Sequence, residues 1–408
     1  MITADWLQEF HAAAGSDGGT GHHGAGYLSR ALLSDALRAR ATDIHIDPYR
    51  GGGVIRFRID GEVLKAGTLS EAIYLRLLNQ IKTEADIDPG VVFLPRGSRN
   101  TYEIGSRELD VRLMLAPCIG GQKLALRLLD PERIKHRVDD LGLSSKGMRD
   151  VRRWLDELNG MFLVAGPTGS GKTTTLYALL HELSDHDRNI VTIEDPVEYE
   201  IDGINQIQID SRHGLDFAEG IKAVLRMDPD YILVGEMRDA GSAKSAANAA
   251  VAGHVLLSTI HARNTVSAIT SLRNFGLTDH QVATMLAVVV NQRLVRKLCP
   301  DCRRRMDFES HEREWLKAAG YEGGLARGWV ADGCGQCGGT GYHGRIGIFE
   351  IWHLDDSDYE LLLANADERT LRKRLAQHGH QSLLESGLES VADGVTSLGE
   401  IRRSGCTP

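Results

Sequence analysis

Alternation of apolar and polar positions marks the strands in the first third of the chain. Ile55, Phe57 and Ile59 alternate with Arg56, Arg58 and Asp60, which predicts a half-buried strand. Asp60-Gly61 follows it and predicts a hairpin turn. Leu109, Val111 and Leu113 alternate with Asp110 and Arg112, and Leu124, Leu126 and Leu128 alternate with Ala125 and Arg127. Between the first strand and these two runs, Ile73, Leu77, Leu78 and Ile81 recur at helical spacing over residues 71–82. These elements make a small α+β domain over 27–132, with arginines on polar strand faces that mostly read as solvated. From about residue 138 the pattern changes. Short, wholly apolar runs near 161–165, 189–193, 231–234 and 254–260 alternate with helical stretches. Strands apolar on both sides belong to a parallel, doubly wound sheet covered by helices.

Two stretches carry no periodicity. Residues 15–26 are glycine-rich and contain His22 and His23, so residues 1–26 are expected to be a flexible segment. Residues 131–137, Pro-Glu-Arg-Ile-Lys-His-Arg, are charged and read as a linker, placed at 133–137.

The run Gly166-Pro167-Thr168-Gly169-Ser170-Gly171-Lys172-Thr173, continued by Thr174, is a complete phosphate-binding loop. The apolar strand Met161–Val164 precedes it and a helix-forming stretch over 174–182 follows, which is the context the motif requires. The glycines let backbone N–H groups close around phosphate oxygens at a helix N-terminus. Lys172 reaches the β- and γ-phosphates and the Thr173 hydroxyl ligates Mg²⁺, so ATP and Mg²⁺ are the expected ligands.

Further candidates stand at strand ends. Glu194-Asp195-Pro196-Val197-Glu198 closes the strand at 190–193, and Gly235-Glu236-Met237-Arg238-Asp239 closes that at 231–234. Either cluster alone reads as a solvated loop. Together, at the carboxyl ends of parallel strands beside a phosphate loop, Glu194, Glu198 and Glu236 are expected to face the phosphates. His261, in Ser258-Thr259-Ile260-His261, sits where a γ-phosphate sensor is useful.

Cys299-Pro300-Asp301-Cys302 and Cys334-Gly335-Gln336-Cys337 form two C-x₂-C pairs 31 residues apart. Four thiolates suit a closed, structural tetrahedral Zn²⁺ site, and in a cytosolic chain this pattern reads as metal ligation rather than disulfides. Cys118 and Cys406 stand alone and read as a core residue and a tail residue.

Composition narrows the class. Apolar residues at 42% and charged residues at 25% fit a soluble globular chain of 408 residues with two or three domains. The formal net charge of −9 argues against a general nucleic-acid binder. The N-terminus lacks the layout of a signal peptide, and no stretch approaches the roughly 18–20 apolar residues of a membrane helix. A cytoplasmic protein that meets membrane only through partners is expected.

In these motifs the chain resembles the secretion-superfamily ATPases that power type II secretion and type IV pilus assembly. Gly166–Thr173 matches the Walker A box, and Thr192–Glu198 resembles the aspartate box. Leu225–Asp230 with Gly235–Asp239 resembles the atypical Walker B region. Gly253-His254 with Ser258–His261 resembles the histidine box, although Ala262 and Arg263 follow where Thr and Asn are usual. Thr42–Asp47, Arg56–Gly61 and Gly387–Arg402 resemble the start of the family's second N-terminal domain and its closing helical signature.

The resemblance implies a RecA-like ATPase domain over 138–408, with a zinc insert at 297–345 and a helical region at 355–405, preceded by the small N-terminal domain. It implies a homo-hexamer, with Arg112 and Arg127 reaching a nucleotide across domains or subunits. After Leu94-Pro95, Arg96-Gly97-Ser98-Arg99 replaces the usual Gln-Asp-Gly-Arg, so Arg112 and Arg127 match such arginines better than Arg99 does. It implies an inner-membrane platform protein and associated assembly proteins as partners, no nucleic acid, and a location peripheral to the inner membrane. The four-cysteine insert is usual in assembly motors and usually lacking in retraction motors. The alternatives are a nucleic-acid-translocating or DNA-transfer ATPase and a non-catalytic, zinc-stabilised binding module.

Overall fold

The computed structural model describes residues 6–15, 27–130, 136–184, 188–321 and 327–406. The chain divides into two compact units. One comprises Met1–Ile134 with Cys299–Cys302 and Ala331–Gly344; the other comprises Lys135–Leu298, Arg303–Val330 and Arg345–Pro408. The cysteine segments, expected within the ATPase domain, therefore fold with the first unit.

The first unit opens with two helices, α1 (Gln8–Gly15) and α2 (Tyr27–Arg38). Three strands follow, β1 (Ala41–Tyr49), β2 (Gly52–Ile59) and β3 (Glu62–Ser70), then α3 (Glu71–Glu84). The unit continues with β4 (Arg96–Ile104), β5 (Arg107–Cys118) and β6 (Gly121–Leu129). The six strands form one sheet in the order β3-β2-β1-β6-β5-β4, with neighbours antiparallel. Asp60 (φ 49°) and Gly61 (φ 92°) make the two-residue turn between β2 and β3, both in the left-handed region that such hairpins favour. One sheet face, with Ile44, Ile55, Phe57, Leu113, Leu124 and Leu126, is buried with Leu32, Leu77 and Ile81 of α2 and α3. Each such side chain contributes about 1.5–3 kcal/mol by leaving water.

The flexible stretch expected over 1–26 is helical in its described part. Leu7 and Phe10 are buried, and the buried carboxylate of Asp35 accepts hydrogen bonds from the N–H groups of Glu9 (3.1 Å) and Phe10 (2.8 Å). Leu7, Phe10 and Ala13 recur along one helix face, a signal that the adjoining glycines obscured. His22, His23 and the rest of 16–26 lie outside the described residues, as does most of the expected linker.

The second unit begins with α4 (Ser145–Glu157), β7 (Met161–Ala165) and α5 (Lys172–Leu183). Then come β8 (Ile190–Glu194), β9 (Asn205–Gln208), α6 (Phe217–Val224), β10 (Tyr231–Val234), α7 (Ala240–Val251) and β11 (Val255–Ile260). Next are α8 (Thr265–Asn274), α9 (Asp279–Met285), β12 (Leu286–Leu298), β13 (Arg303–Asp307), α10 (Ser310–Ala318), β14 (Arg327–Ala331) and β15 (Tyr342–His353). Four helices close the unit: α11 (Asp356–Leu363), α12 (Glu368–Gln377), α13 (Leu383–Ala392) and α14 (Leu398–Arg403).

The main sheet has the order β15-β12-β7-β11-β10-β8-β9, and the pairs from β12 to β9 are parallel. The four strands expected from sequence are β7, β8, β10 and β11. They are buried along their whole length, because helices cover both faces. Strand β12 was not foreseen. It pairs with β7 and so puts the phosphate-loop strand inside the sheet, between β11 and β12.

Candidate active site

The phosphate loop leaves the carboxyl end of β7 and enters α5. Gly166, Gly169 and Gly171 have φ of 155°, 77° and 89°, where a side chain is strained. Space enforces the same choice. A Cβ on Gly166 would lie 2.7 Å from the Gln292 carbonyl oxygen, and one on Gly171 would lie 2.8 Å from Gln292 Nε2. Gln292 also accepts the Thr175 hydroxyl hydrogen bond at 2.8 Å, so β12 braces the loop and the first turn of its helix. The Lys172 ammonium donates to the carbonyls of Gly166 (2.9 Å) and Pro167 (3.3 Å). Burial lowers its pKa, Glu236 opposes that, and Arg293 adds to it. Ser170 is buried, whereas Thr168 and Thr173 are exposed at the loop surface. Pro167 and Thr174 complete the run.

Three neighbouring strand ends bring acidic and basic groups beside the loop. Glu236 follows β10 and is 16% exposed in its side chain; its Oε1 lies 2.7 Å from His261 Nε2, at the end of β11. Its Oε2 accepts from Arg238 Nε at 2.7 Å, and Arg238 Nη1 donates to Asp195 Oδ2 at 2.8 Å, at the end of β8. Charge-assisted bonds thus link Asp195, Arg238, Glu236 and His261. The bond to Glu236 is the main reason the Arg238 pKa is raised. Arg238 and Asp195 were quoted within motifs but given no role by the sequence reading. Their signal is the short spacing Glu236-x-Arg238, which puts both side chains on one side of an extended segment.

Glu194 takes a different place from the one expected. It is the last residue of β8 and only 4% exposed, so its side chain stays in the layer between sheet and helix. Its carboxylate accepts from Thr192 Oγ1 (2.6 Å), from Gln206 Nε2 (3.2 Å) and from the Tyr177 hydroxyl. Burial raises its pKa, and those three donors oppose the rise. Tyr177 is on α5, so Glu194 ties the phosphate-loop helix to β8. Glu198 sits near this cluster and pushes the Glu194 pKa further up. Two residues from the same strand end point in opposite ways: Glu194 faces the layer beneath, and Asp195 faces Arg238.

In the first unit, the polar sheet face carries a transverse row of charge. Arg58 and Arg127 both stand opposite Asp43, Arg112 stands opposite Arg127, and Arg99 stands opposite Arg112. Arg127 Nε donates to Asp43 Oδ1 at 3.1 Å, and Arg99 pairs with Asp110. Cations directly opposite one another on adjacent strands repel. Asp43 and Asp110 offset part of that repulsion through Arg127 and Arg99.

The four sequence-paired cysteines converge in the first unit. All four sulfurs lie within 4.8 Å of one another, and three of the pairs are at 3.8, 3.9 and 3.8 Å. A tetrahedron with Zn–S bonds of about 2.3 Å has an S···S edge of about 3.8 Å. The donor set therefore fits Zn²⁺. Two backbone N–H groups, of Cys334 (3.1 Å) and Gly341 (3.2 Å), donate to Cys337 Sγ. Burial raises the Cys337 pKa, but these donors and the neighbouring sulfurs outweigh it and bring it down to about 7. Burial pushes Cys302 up to about 12. A Cβ at Gly338 would collide with the Trp6 indole, so the knuckle seats the residue that leads into α1.

Comparison with known proteins places relatives along most of the chain. The family model described as type II/IV secretion system protein matches residues 23–403. Type II secretion system ATPase E of Vibrio cholerae is 38% identical over 376 residues, covering 92% of this chain and 74% of that protein. Type II secretion system protein HxcR of Pseudomonas aeruginosa is 38% identical over 92% of this chain and 76% of that protein. Among solved structures, the Legionella pneumophila ATPase DotB superposes with a TM-score of 0.67 at 19% identity, covering 92% of this chain and 94% of that one. The pilus retraction motor PilT with bound ADP gives 0.62 at 22% identity, covering 93% and 97%. At those identities the likeness is one of fold. Family, relatives and phosphate loop agree: the chain belongs to the type II/IV secretion system protein family and is an ATPase of the secretion and pilus motor class.

Proposed function

We propose that the chain is a hexameric mechanochemical ATPase that powers pseudopilus or type IV pilus assembly, in type II secretion, pilus extension or DNA uptake. The observation that carries this reading is Lys172 in its loop beside the Glu236–His261 pair, at the carboxyl ends of adjacent parallel strands. Backbone N–H groups of the loop hold the phosphates, and Lys172 turns from the loop carbonyls to the β- and γ-phosphates. Mg²⁺ held through Thr173 neutralises phosphate charge when bound. Glu236 takes the proton of the attacking water, and His261 holds Oε1 of that carboxylate and faces the γ-phosphate. Glu194 and Glu198 support from beneath. Arg112 and Arg127 supply positive charge to a nucleotide across domains or subunits, a contribution of about 10³–10⁵ in rate for arginine fingers generally. The row of opposed cations supports that role. The four cysteines hold one structural Zn²⁺, which by resemblance favours assembly over retraction.

The partners of this reading are further copies of the chain, an inner-membrane platform protein and assembly proteins on the cytoplasmic face. Among the described residues no helix is long and apolar enough to cross a membrane, which suits membrane contact through partners. The test is Mg²⁺-dependent ATP hydrolysis by purified protein, with sizing under assay conditions. Lys172→Ala is expected to abolish turnover, and wild-type turnover per subunit is expected to rise steeply with protein concentration. A fully active monomer would overturn the ring. Strong stimulation by single-stranded DNA would favour the nucleic-acid motor instead.

A further inference from the structure

We infer that Arg238 is a positioning residue for hydrolysis, fixing the Glu236 carboxylate in the orientation that receives a proton from water. The inference rests on the reading of Glu236 as the base.

The backbone around Glu236 is already tied down. Gly235 N donates to the Ile193 carbonyl (2.8 Å), Met237 N donates to the Thr259 carbonyl (2.9 Å), and the Thr259 hydroxyl donates to the Gly235 carbonyl (2.8 Å). Gly235 is needed there, because a Cβ would lie 3.2 Å from the Ile193 carbonyl oxygen. The side chain, however, has three rotatable bonds, and backbone restraint does not set them. Two groups do so: His261 at Oε1 and Arg238 at Oε2.

Both side chains are about half exposed, His261 at 52% and Arg238 at 49%, so what separates them is their other partners: among the described residues the His261 ring bonds Glu236 alone. Arg238 is gripped on further sides. Asp195 takes Nη1, the guanidinium lies over the Phe217 ring at 5.8 Å from its centroid, and the Arg238 N–H donates to Ser242 Oγ at 3.3 Å. Ser242 is itself bound to Asp239 in the capping box of α7. Arg238 is therefore a fixed support, and Glu236 is the group it supports.

The support has a specific competitor to defeat. Lys172 lies within electrostatic reach of Glu236. A carboxylate free to turn would pair with that ammonium, and the pair would withdraw the base from water and the lysine from phosphate together. Arg238 occupies Oε2 and satisfies the carboxylate without Lys172. Its fork is what allows this: one nitrogen serves Glu236 and another serves Asp195, which the single ammonium of a lysine cannot do in the same geometry.

The test uses the full chain, with steady-state ATP hydrolysis, single-turnover hydrolysis and direct binding of a fluorescent ATP analogue. Arg238→Gln is expected to lower kcat about 10–100-fold, the scale of a misaligned catalytic group, while the dissociation constant of the analogue stays within about 2-fold. Arg238→Lys should recover part of the loss. Asp195→Asn should lower kcat less than Arg238→Gln does. The decisive readout is the double variant. In a Glu236→Gln background no base remains to be aimed, so adding Arg238→Gln should cost less than about 2-fold in single-turnover rate. Multiplied losses would mean that Arg238 acts otherwise, and the inference would fall. It would fall equally if Arg238→Gln kept full kcat, or lost activity only through nucleotide binding. Full turnover by Glu236→Gln alone would remove the base assignment itself, which separates failure of that reading from failure of this one.

Discussion

Metal removal should loosen the N-terminal helix as well as the cysteine knuckle. Helix α1 spans Gln8–Gly15, too short to persist alone, since isolated helices below roughly 12–15 residues are marginal in water. Its supports include the Arg38–Glu9 ion pair, the buried Leu7, Phe10 and Ala13, the Asp35 carboxylate on its first N–H groups, and Trp6 seated on Gly338 of the knuckle. Of these, the Trp6 contact is the one that depends on the metal. A tryptophan face covering about 80–100 Å² of apolar surface contributes about 2–2.5 kcal/mol, a factor of about 30–70 in the opening equilibrium. The assay is hydrogen exchange of the full chain, purified with zinc and then stripped by a chelator, read on peptides covering residues 6–14 and 331–344. Protection over 331–344 should collapse. Protection over 6–14 should fall by about 30–70-fold and stop there, because the Asp35 bonds and the apolar contacts remain. Trp6→Ala with zinc bound should reproduce the α1 effect, and stripping that variant should add nothing over 6–14. Unchanged exchange over 6–14 beside a collapsed knuckle would refute the coupling.

Three other outcomes are expected. Arg112→Ala should depress turnover at saturating ATP while nucleotide binding stays largely intact, which parallel titration and rate measurements will separate. Glu400 is buried, which alone would raise its pKa, but Arg296 and Arg403 outweigh burial and hold it below the ordinary glutamate range. Its stabilisation is therefore complete above that range and is lost as pH falls through the depressed value, so thermal melting should fall more steeply below about pH 4.5 in the wild type than in Glu400→Gln. Gly394 has a φ of 70°, and a Cβ there would lie 2.6 Å from the Trp329 ring; Gly394→Ala should destabilise the second unit by about 2–4 kcal/mol in chemical denaturation.

What the sequence discloses follows the range of the interaction that makes each feature. The phosphate loop, the hairpin at Asp60-Gly61 and the four buried strands are decided by residues within a few positions of one another, and all were legible. Gln292 was not. It braces the loop from β12, more than a hundred residues away, and only strand order brings it there. Strand β12 hides its own period: Val288, Val289 and Val290 are buried on both faces, whereas Arg293, Leu294, Arg296 and Lys297 run along a partly exposed end. No single template fits such a strand. The cysteine pairs announced a metal site through spacing, but not that their loops fold with the first unit or seat Trp6.

Glu194 is the sharpest case, because there the sequence pointed to the correct place and the wrong direction. Reading 190–193 as a strand put the acidic cluster Glu194–Glu198 at its carboxyl end, facing the ligand crevice. The strand runs one residue further. Side chains along a strand alternate with a period of two, so that single residue decides the face. Glu194 falls on the Thr192 side, where its carboxylate meets Thr192, Tyr177 and Gln206, and Asp195 falls on the other side, where it meets Arg238. The two neighbours divide the work. Glu194 ties the helix that carries the phosphate loop to the strand beside it, and Asp195 holds the arginine that aims Glu236. Tyr177 on α5 bonds Glu194, and Asp195 is the next residue along the chain. Glu236 is thus joined to the helix that carries the phosphate loop through one hydrogen bond, one peptide bond and two ion pairs.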